Sequence, residues 1–223
     1  ITNNMATPRK MVRMKMTNND MWDSILEEPD TEHELLQENE ILKPLLPEIA
    51  LISDLGIRSF VRSLLLKADA FWYIPSSFSG KYHPPDERVL GGNVLHTKRV
   101  VRVADLLSES FGLDEYERDL VIAAAIIHDL TKGKVWDEKV GPQYDKFHPY
   151  TVDSFVQEAH RIDEVYGRED KSTVMMVTED TMRQILRLVR CHMGPWSPIP
   201  ETIPLTNTDM VLHCADNIAS KLH

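Results

Sequence analysis

Residues 121–132 read VIAAAIIHDLTK and decide the fold, because an almost wholly apolar run ends there in the pair His128–Asp129. Burying a carboxylate is costly unless it is hydrogen-bonded, paired or bound to a metal. An aspartate at the end of such a run needs a strong compensating partner, and a divalent cation is the best available one. The stretch therefore predicts a metal site inside the protein.

On both sides of this stretch, apolar residues recur at helical spacing, which predicts an all-α fold, a helical bundle. The helical pattern begins at Leu35, and a first clear helix is expected over residues 57–72. A segment rich in Pro, Ser and Gly follows over residues 74–92, where turns are expected. No segment alternates convincingly enough to be a strand. Five further helices are expected near residues 93–110, 114–131, 148–166, 178–192 and 207–222.

The first part of the chain differs in composition from the rest. Residues 1–16 carry four basic residues and no acid, whereas residues 17–48 carry ten acids and one lysine. Few aromatics and no firm apolar period occur there, so residues 1–34 are predicted to form a flexible extension. Residues 35–223 are predicted to form one domain. Its two parts are a helical segment, 35–74, and a core that carries the motifs, 75–223.

Charge and composition exclude several classes of protein. The formal net charge of -10 disfavours broad binding to long nucleic acid, which depends on neutralisation of phosphates by Lys and Arg. No stretch approaches the roughly 18 consecutive apolar residues of a membrane span. Cys191 and Cys214 are too far apart in sequence for a C-x-x-C pair, so free thiols in a reducing cytoplasm are expected. We expect a cytoplasmic protein whose partner is a small phosphorylated molecule.

Five of the expected helices each carry one imidazole or carboxylate on an apolar stripe. For example, His96 is followed by Val100 and Val103 at steps of four and seven, which lie on one helical face. A single inward histidine is more often a satisfied core residue, but five helices that share the feature indicate a common polar centre. The residues concerned are His96, His128, His148, His192 and Asp216.

The residue types at this centre favour particular metals. Mixed imidazole and carboxylate ligation suits Mn, Fe, Co, Ni or Zn, and suits Mg less well. Motifs of other chemistries are absent from the sequence: there is no H-E-x-x-H helix, no G-x-S-x-G elbow and no Walker-type loop.

The order His96, His128-Asp129, Asp216 resembles the H…HD…D signature of the HD superfamily of metal-dependent phosphohydrolases. The contexts GGNVLHT, IIHDLTK and VLHCAD are also similar to that family. FHPYT and RCHMGPWS resemble the sites of the extra histidines of HD proteins that hold a second metal. The motifs are closest to small stand-alone HD proteins and to the HD domain of 3′-to-5′ exoribonucleases, and they also resemble some conjugative relaxases.

The resemblance implies one or two divalent metal ions, with a hydroxide activated by the metal as the nucleophile. Asp129 would be a shared ligand and would orient the attacking water, which makes it a catalytic residue. The implied ligands of the first ion are His96, His128, Asp129 and Asp216. The implied ligands of the second ion are Asp129, His148 and His192.

Lys132 resembles the family lysine that meets the substrate phosphate, where its charge would offset that of the transition state. The alternative for Lys132 is an exposed lysine at a helix end. Lys81 and His83 are weaker candidates for binding the substrate phosphate. Trp196 could stack on a base, although packing of a proline-rich loop is the favoured interpretation.

Three functions remain open from the sequence. The first is hydrolysis of a phosphoester bond in a nucleotide or a small nucleotide-derived substrate. The second is a nucleic-acid processing module, a 3′-end exonuclease or a relaxase-like phosphodiesterase, which the acidic composition disfavours. The third is a non-catalytic HD domain that binds a nucleotide and uses the metal for stability. Retention of the four core ligands and Lys132 favours the first.

Overall fold

Seven α-helices and one short hairpin make up the regular structure of the part that the computed structural model describes: residues 40–133, 135–139, 141–166, 177–199 and 202–221. The extension predicted over residues 1–34 lies outside the described residues. The α-helices are α1 (Leu46–Ile49), α2 (Leu55–Leu66), α3 (Gly92–Ser110), α4 (Glu115–Ile127), α5 (His148–Tyr166), α6 (Glu179–Cys191) and α7 (Asn207–Ala219).

The all-α class is confirmed, and the five helices expected after residue 92 are all present. The largest differences are at the end of α2, which was expected at residue 72 and ends at Leu66, and at the end of α4, which was expected near residue 131 and ends at Ile127. Short 3₁₀ turns connect the helices. They lie at Lys43–Leu45, Asp69–Trp72, Pro85–Glu87 and Gly194–Trp196.

A small hairpin between α4 and α5 differs from the expectation that no segment is a strand. Strand β1 (Val135–Asp137) pairs with β2 (Gly141–Gln143) in antiparallel register. Strands of three residues are too short to show the alternation from which strands are predicted. The hairpin leaves the all-α class unchanged, because all the other regular structure described is helical.

Side-chain caps explain why several helices begin where they do. The Asp114 side chain accepts a hydrogen bond from the Glu117 backbone N–H, and the Glu117 side chain accepts one from the Asp114 backbone N–H. Thr206 and Asp209 form the same reciprocal box before α7. Each cap satisfies an N–H group that lacks a partner in its helix and stabilises the helix by about 1 kcal/mol. These caps fix the two helices that carry or lead to the aspartates of the HD pattern.

Helix α4 is the centre of the bundle. Its residues from Leu120 to Ile127 are all buried, and it packs against α2, α3, α6 and α7. A helix that is apolar on every face is stable only when other elements surround it. The pair His128–Asp129, which follows directly, therefore lies where several helices come together.

The loop before α3 packs tightly because glycine occupies two successive positions. Gly91 has a φ of 77°, in the left-handed region that favours glycine. A Cβ atom at Gly92 would lie 2.1 Å from the carbonyl oxygen of Glu87. Glycine at these positions lets the backbone of Glu87 approach the first turn of α3, the helix that carries His96.

Two expectations about the protein's surroundings can be compared with the structure. None of the helices in the described part of the chain has the length and apolar character that a membrane span needs. Cys191 and Cys214 are both free thiols.

Candidate metal centre

The six side chains expected to bind metal come together in the interior of the bundle. His96 is on α3, His128 and Asp129 follow α4, and Asp216 is on α7. His148 begins α5, and His192 follows α6. The ring centroids of His96 and His128 are 5.4 Å apart, those of His128 and His192 5.1 Å, and those of His148 and His192 5.3 Å.

The first side of the centre, defined as His96, His128, Asp129 and Asp216, contains two imidazoles and two carboxylates. Oδ1 of Asp216 lies 3.0 Å from Nε2 of His96 and 3.9 Å from Nε2 of His128. Oδ2 of Asp129 lies 3.4 Å from Nε2 of His128 and 4.0 Å from Nε2 of His96. The groups of His96, His128 and Asp129 are close enough together to hold one ion.

The second side of the centre, defined as Asp129, His148 and His192, shares one carboxylate with the first. Nε2 of His148 lies 3.0 Å from Oδ1 of Asp129, whereas Oδ2 of Asp129 faces the first side. The ligand atoms of these three residues also lie close enough together to hold an ion. The two oxygens of Asp129 thus face different groups of histidines, the arrangement that a bridging carboxylate needs.

Backbone carbonyl groups orient three of the four imidazoles. Nδ1 donates to the carbonyl oxygen three residues earlier in His128 (2.8 Å), His148 (2.8 Å) and His192 (2.6 Å). A neutral imidazole has one N–H, so a proton on Nδ1 leaves the lone pair on Nε2. Histidines that bind metals are commonly held in this way by their other ring nitrogen.

Two of the Nε2 atoms give an independent test of whether a metal fits. Nε2 of His128 and Nε2 of His148 are buried and make no hydrogen bond within the described part of the chain. Buried polar atoms without a partner are rare and costly. Lone pairs that face two carboxylates form a nitrogen and oxygen donor set suited to a divalent transition metal. The residues present fit such an ion.

A cavity of about 500 Å³ opens over the centre. Its volume is in the range of pockets that bind small molecules. Its wall includes the ligand candidates Asp129, His148, His192 and Asp216 and, around them, Tyr82, His83, Lys132, Tyr144, Met193, Trp196, Asn217, Ser220 and Lys221.

The sequence profile of the HD domain matches residues 94–221, which include all six of these ligand candidates. The chain belongs to the HD domain family. HD domains bind divalent metals, and the histidine and aspartate groups of this HD domain could hold one. No solved structure matches the chain significantly.

A curated relative of this HD domain is the dihydroneopterin 2′,3′-cyclic phosphate phosphodiesterase of Methanocaldococcus jannaschii. It is 28% identical over 140 residues, which cover 61% of this chain and 49% of the relative. The chain thus spans about half the length of that relative. Together, the family and the relative support the class of metal-dependent phosphohydrolases.

Glu87 is a residue of the HD domain's centre that the sequence did not reveal. Its side chain is 0% exposed, and its Oε2 lies 2.9 Å from Nδ1 of His83 and 3.2 Å from Nδ1 of His96. Its Oε1 pairs with Arg99. Glu87 precedes the first helix that was expected to carry a ligand, in the loop PPDERVLGG. An acid in that loop was the available signal, but loop residues have no periodicity that predicts where they point.

His83, Glu87 and His96 also form a group that could hold an ion. Burial raises the pKa of Glu87, but hydrogen bonds with His83 and His96 lower it to about 2. Because Arg99 already supplies a positive charge to this carboxylate, a further cation is disfavoured there. We interpret Glu87 as an anionic partner of both imidazoles, hydrogen-bonded to His83 and in ion-pair contact with His96.

Burial and neighbouring charges shift the pKa values of several side chains at the centre. Burial opposes ionisation of Asp129 and Asp216, but Lys132 holds the pKa of Asp129 well below its usual range, and His96 does the same for Asp216. Burial lowers the pKa of His192 to about 3, so this imidazole is neutral at physiological pH. Burial also lowers the pKa of His96, but hydrogen bonds with Asp216 and Glu87 outweigh it and raise the pKa to about 9.

Lys132 lies beside the shared carboxylate, and it is only 7% exposed. Its Nζ donates to Oδ2 of Asp129 at 2.5 Å, and its side chain lines the cavity. The alternative of an exposed helix-end lysine is wrong, because α4 ends at Ile127 and the following turn directs Lys132 inward.

The other residues that the sequence suggested for substrate binding differ in how close they lie to the centre. His83 lines the cavity, and its ring packs edge-on against that of His96, with the centroids 4.6 Å apart. Trp196 is exposed at the cavity rim and lies 5.6 Å from the ring of His213. Lys81 is exposed near the turn at Gly80 and is not among the described residues that line the cavity. Tyr82 and Tyr144 line it without having been expected.

Proposed function

We propose that this HD domain hydrolyses a phosphoester bond in a nucleotide or a small nucleotide-derived substrate. The proposal is based on two groups of histidine side chains that share the carboxylate of Asp129. This centre opens into a cavity beside Lys132. Such a pair of sites is suited to ions that clamp a phosphoryl group from both sides.

In this proposal His96, His128, Asp129 and Asp216 hold one ion, and Asp129, His148 and His192 hold another. When bound, the ions supply Lewis-acid stabilisation of the phosphoryl oxygens and a water of lowered pKa. Manganese, iron, cobalt, nickel or zinc would match the mixed nitrogen and oxygen donors better than magnesium would.

The other residues of the cavity would bind and orient the substrate. Lys132 carries a positive charge at the cavity wall, where it would offset the negative charge that develops on the phosphoryl group. Its contact with Asp129 fixes the ammonium beside the shared ligand. The Nδ1 contact with Glu87 leaves Nε2 of His83 as the nitrogen available to the cavity.

Three observations support a small substrate. The cavity of about 500 Å³ has room for a molecule of nucleotide size. The net charge of -10 disfavours long nucleic acid. The relative from Methanocaldococcus jannaschii is named for a 2′,3′-cyclic phosphate of dihydroneopterin, so cyclic phosphodiesters belong among the first substrates to test.

The test combines metal analysis with a substrate panel. The protein is stripped with a chelator, reloaded with Mn, Co, Ni or Mg, and assayed on nucleoside monophosphates, 2′,3′-cyclic nucleotides, dinucleotides and single-stranded oligonucleotides. We expect about two equivalents of metal, by analogy with two-metal sites, and hydrolysis of a mononucleotide or cyclic substrate. The variant Asp180→Asn serves as a control and should keep the metal content and activity of the wild type. Asp180 is in the first turn of α6, at the end of the helix opposite His192.

Two other results would contradict the proposal in different ways. A protein that is loaded with metal but inert on the whole panel would favour a non-catalytic HD domain. A clear preference for oligonucleotides over mononucleotides would favour a nucleic-acid processing module.

A further inference from the structure

A second cavity, of about 460 Å³, adjoins the one over the metal centre. We name it the serine cavity, after the three serines in its wall. Four residues line both cavities, so the two spaces meet along a common wall that includes Lys132. The shared residues are Tyr82, His83, Lys132 and Tyr144, and those found only in the serine cavity are Ser76, Ser77, Phe78 and Ser79.

The wall of the serine cavity is held in place by its own hydrogen bonds. The Ser76 backbone N–H donates to the Glu87 carbonyl oxygen at 2.9 Å, which closes the loop on itself. The Ser76 hydroxyl donates to the Gly92 carbonyl oxygen at 3.0 Å, which ties the loop to the start of α3. Ser76 and Ser77 are both buried. The cavity is therefore formed by a fixed loop, and binding there costs little additional ordering.

Two aromatic rings and two hydroxyls give the serine cavity its chemistry. The rings of Phe78 and Tyr144 are 6.2 Å apart and tilted by 43°. The hydroxyls of Ser77 and Ser79 are 3.5 Å apart, at the limit of a hydrogen bond, so both can pair with a ligand instead. The hydroxyl of Tyr144, which lines both cavities, is a further donor and acceptor.

We propose that the serine cavity binds the planar heterocyclic ring of the substrate, while the phosphate lies at Lys132 between the two cavities. Aromatic faces contact a planar ring, and hydroxyls pair with the nitrogen and oxygen atoms at its edge. A phosphoester whose alcohol part has no ring would make no contact with these aromatic faces and hydroxyls. The inference rests on the proposed function and assigns the part of the cavity wall that would recognise the base or a similar heterocycle.

The kinetic test compares two cyclic phosphodiesters that differ in the ring. Guanosine 2′,3′-cyclic phosphate carries a heterocycle, and glycerol 1,2-cyclic phosphate has the same reacting group without one. Since stacking of a base on an aromatic side chain commonly changes binding by about tenfold or more, we expect wild-type kcat/KM to favour the guanosine ester by at least about tenfold. Phe78→Leu keeps an apolar side chain but removes the ring face, and Ser79→Ala removes an exposed hydroxyl.

Both variants are expected to raise KM for the guanosine ester, Phe78→Leu by about tenfold, and to change kcat/KM for the glycerol ester much less. Ser110→Ala is the matched control, because its hydroxyl is exposed and pairs with the carbonyl of Leu106 near the end of α3. Circular dichroism shows whether each variant folds. If both esters are cleaved equally well, or if Phe78→Leu lowers kcat/KM for both by the same factor, the inference is wrong and the proposed function stands.

A binding measurement separates failure of the inference from failure of the function. Calorimetry on the metal-loaded protein compares guanosine 3′-monophosphate with glycerol phosphate. Tighter binding of the guanosine compound, weakened in Phe78→Leu, supports the serine cavity even if neither ester is cleaved. Equal affinities overturn the inference whatever the activity.

Discussion

The two sides of the metal centre differ in what holds their imidazoles. On the first side, His128 donates to a carbonyl group of its own backbone, but His96 lies against the carboxylate of Glu87, a side chain from the preceding loop. On the second side, His148 and His192 donate to carbonyl groups of their own backbone. A backbone carbonyl group remains when the residue that provides it is substituted. A carboxylate that holds an imidazole, in contrast, loses its charge when its residue is replaced by a neutral one. The first side can therefore be weakened through Glu87, which contacts His96, whereas neither imidazole of the second side is held by such a carboxylate within the described part of the chain.

The two sides also differ in charge. The first contains two carboxylates, Asp129 and Asp216, and has Glu87 behind His96. The second contains only the carboxylate of Asp129. Since attraction to a cation grows with the negative charge around it, we expect the first side to bind metal more tightly.

The largest effect is expected from Asp129→Ala, because this substitution removes the ligand that both sides share. The variant should lose both ions and lower kcat by at least about 10³-fold, while the helices are retained because Asp129 lies in the turn after α4 and not within a helix. Elemental analysis and circular dichroism check the two parts separately. Unchanged metal content would show that Asp129 does not join the two sides.

His148→Ala is expected to remove one ion and leave the other. His148 contacts Asp129 on the second side only, whereas the first side keeps all its ligands. Metal content should fall from about two equivalents to about one, and the remaining ion should bind with nearly the wild-type affinity. Loss of both ions on this change would mean that the two sides act as one site and that the comparison is invalid.

Lys132→Met tests the positive charge that lies beside the first and second sides of the metal centre. The substitution keeps the length of the side chain but removes the ammonium that contacts Asp129. We expect metal content to be unchanged and kcat to fall by about 10²-fold, the order of effect for losing one group that stabilises transition-state charge. A change in KM alone would assign Lys132 to substrate binding without a role in the reaction.

The smallest effect is expected from Glu87→Gln, which keeps the shape of the anchor and removes its charge. Metal affinity should fall by about 10- to 100-fold at the first side only, as for other groups that orient a ligating histidine. Long-range ¹⁵N spectra should show a change at His96 and none at His148.

The matched control for Glu87→Gln is Asp86→Asn. Asp86 is the neighbouring residue, and it pairs with the same Arg99. It is also exposed, and its contacts in the described part of the chain do not include a histidine. If Asp86→Asn weakened metal binding as much as Glu87→Gln, the effect would come from Arg99 and the loop, and Glu87 would not be the anchor of His96.

Much of the fold could be predicted because its signals are local. The helix starts near residues 93, 148 and 207 follow from apolar periodicity and are observed at Gly92, His148 and Asn207. Capping residues such as Asp114 and Thr206 lie in the sequence immediately before their helices. The hairpin could not be predicted, because three-residue strands show too little alternation.

The site could be predicted where its residues lie on helices or directly after them. Periodicity indicates which way His96 or Asp216 points, and the structure brings both together at 3.0 Å. Glu87 and Tyr144 lie in loops, where no repeat relates position to direction. Their contacts depend on how the loop before α3 and the segment after β2 pack in three dimensions, and no pattern in the sequence encodes that packing. The metal-binding roles of the six candidates remain predictions.

Anomalous diffraction from crystals grown with manganese tests the central claim most directly. Two peaks are predicted, each about 2.1 Å from its nitrogen ligands: one between Nε2 of His96 and Nε2 of His128, the other between Nε2 of His148 and Nε2 of His192, with Asp129 joining them. A peak beside Glu87 in place of these, or crystals with bound manganese elsewhere and neither peak present, would contradict the account.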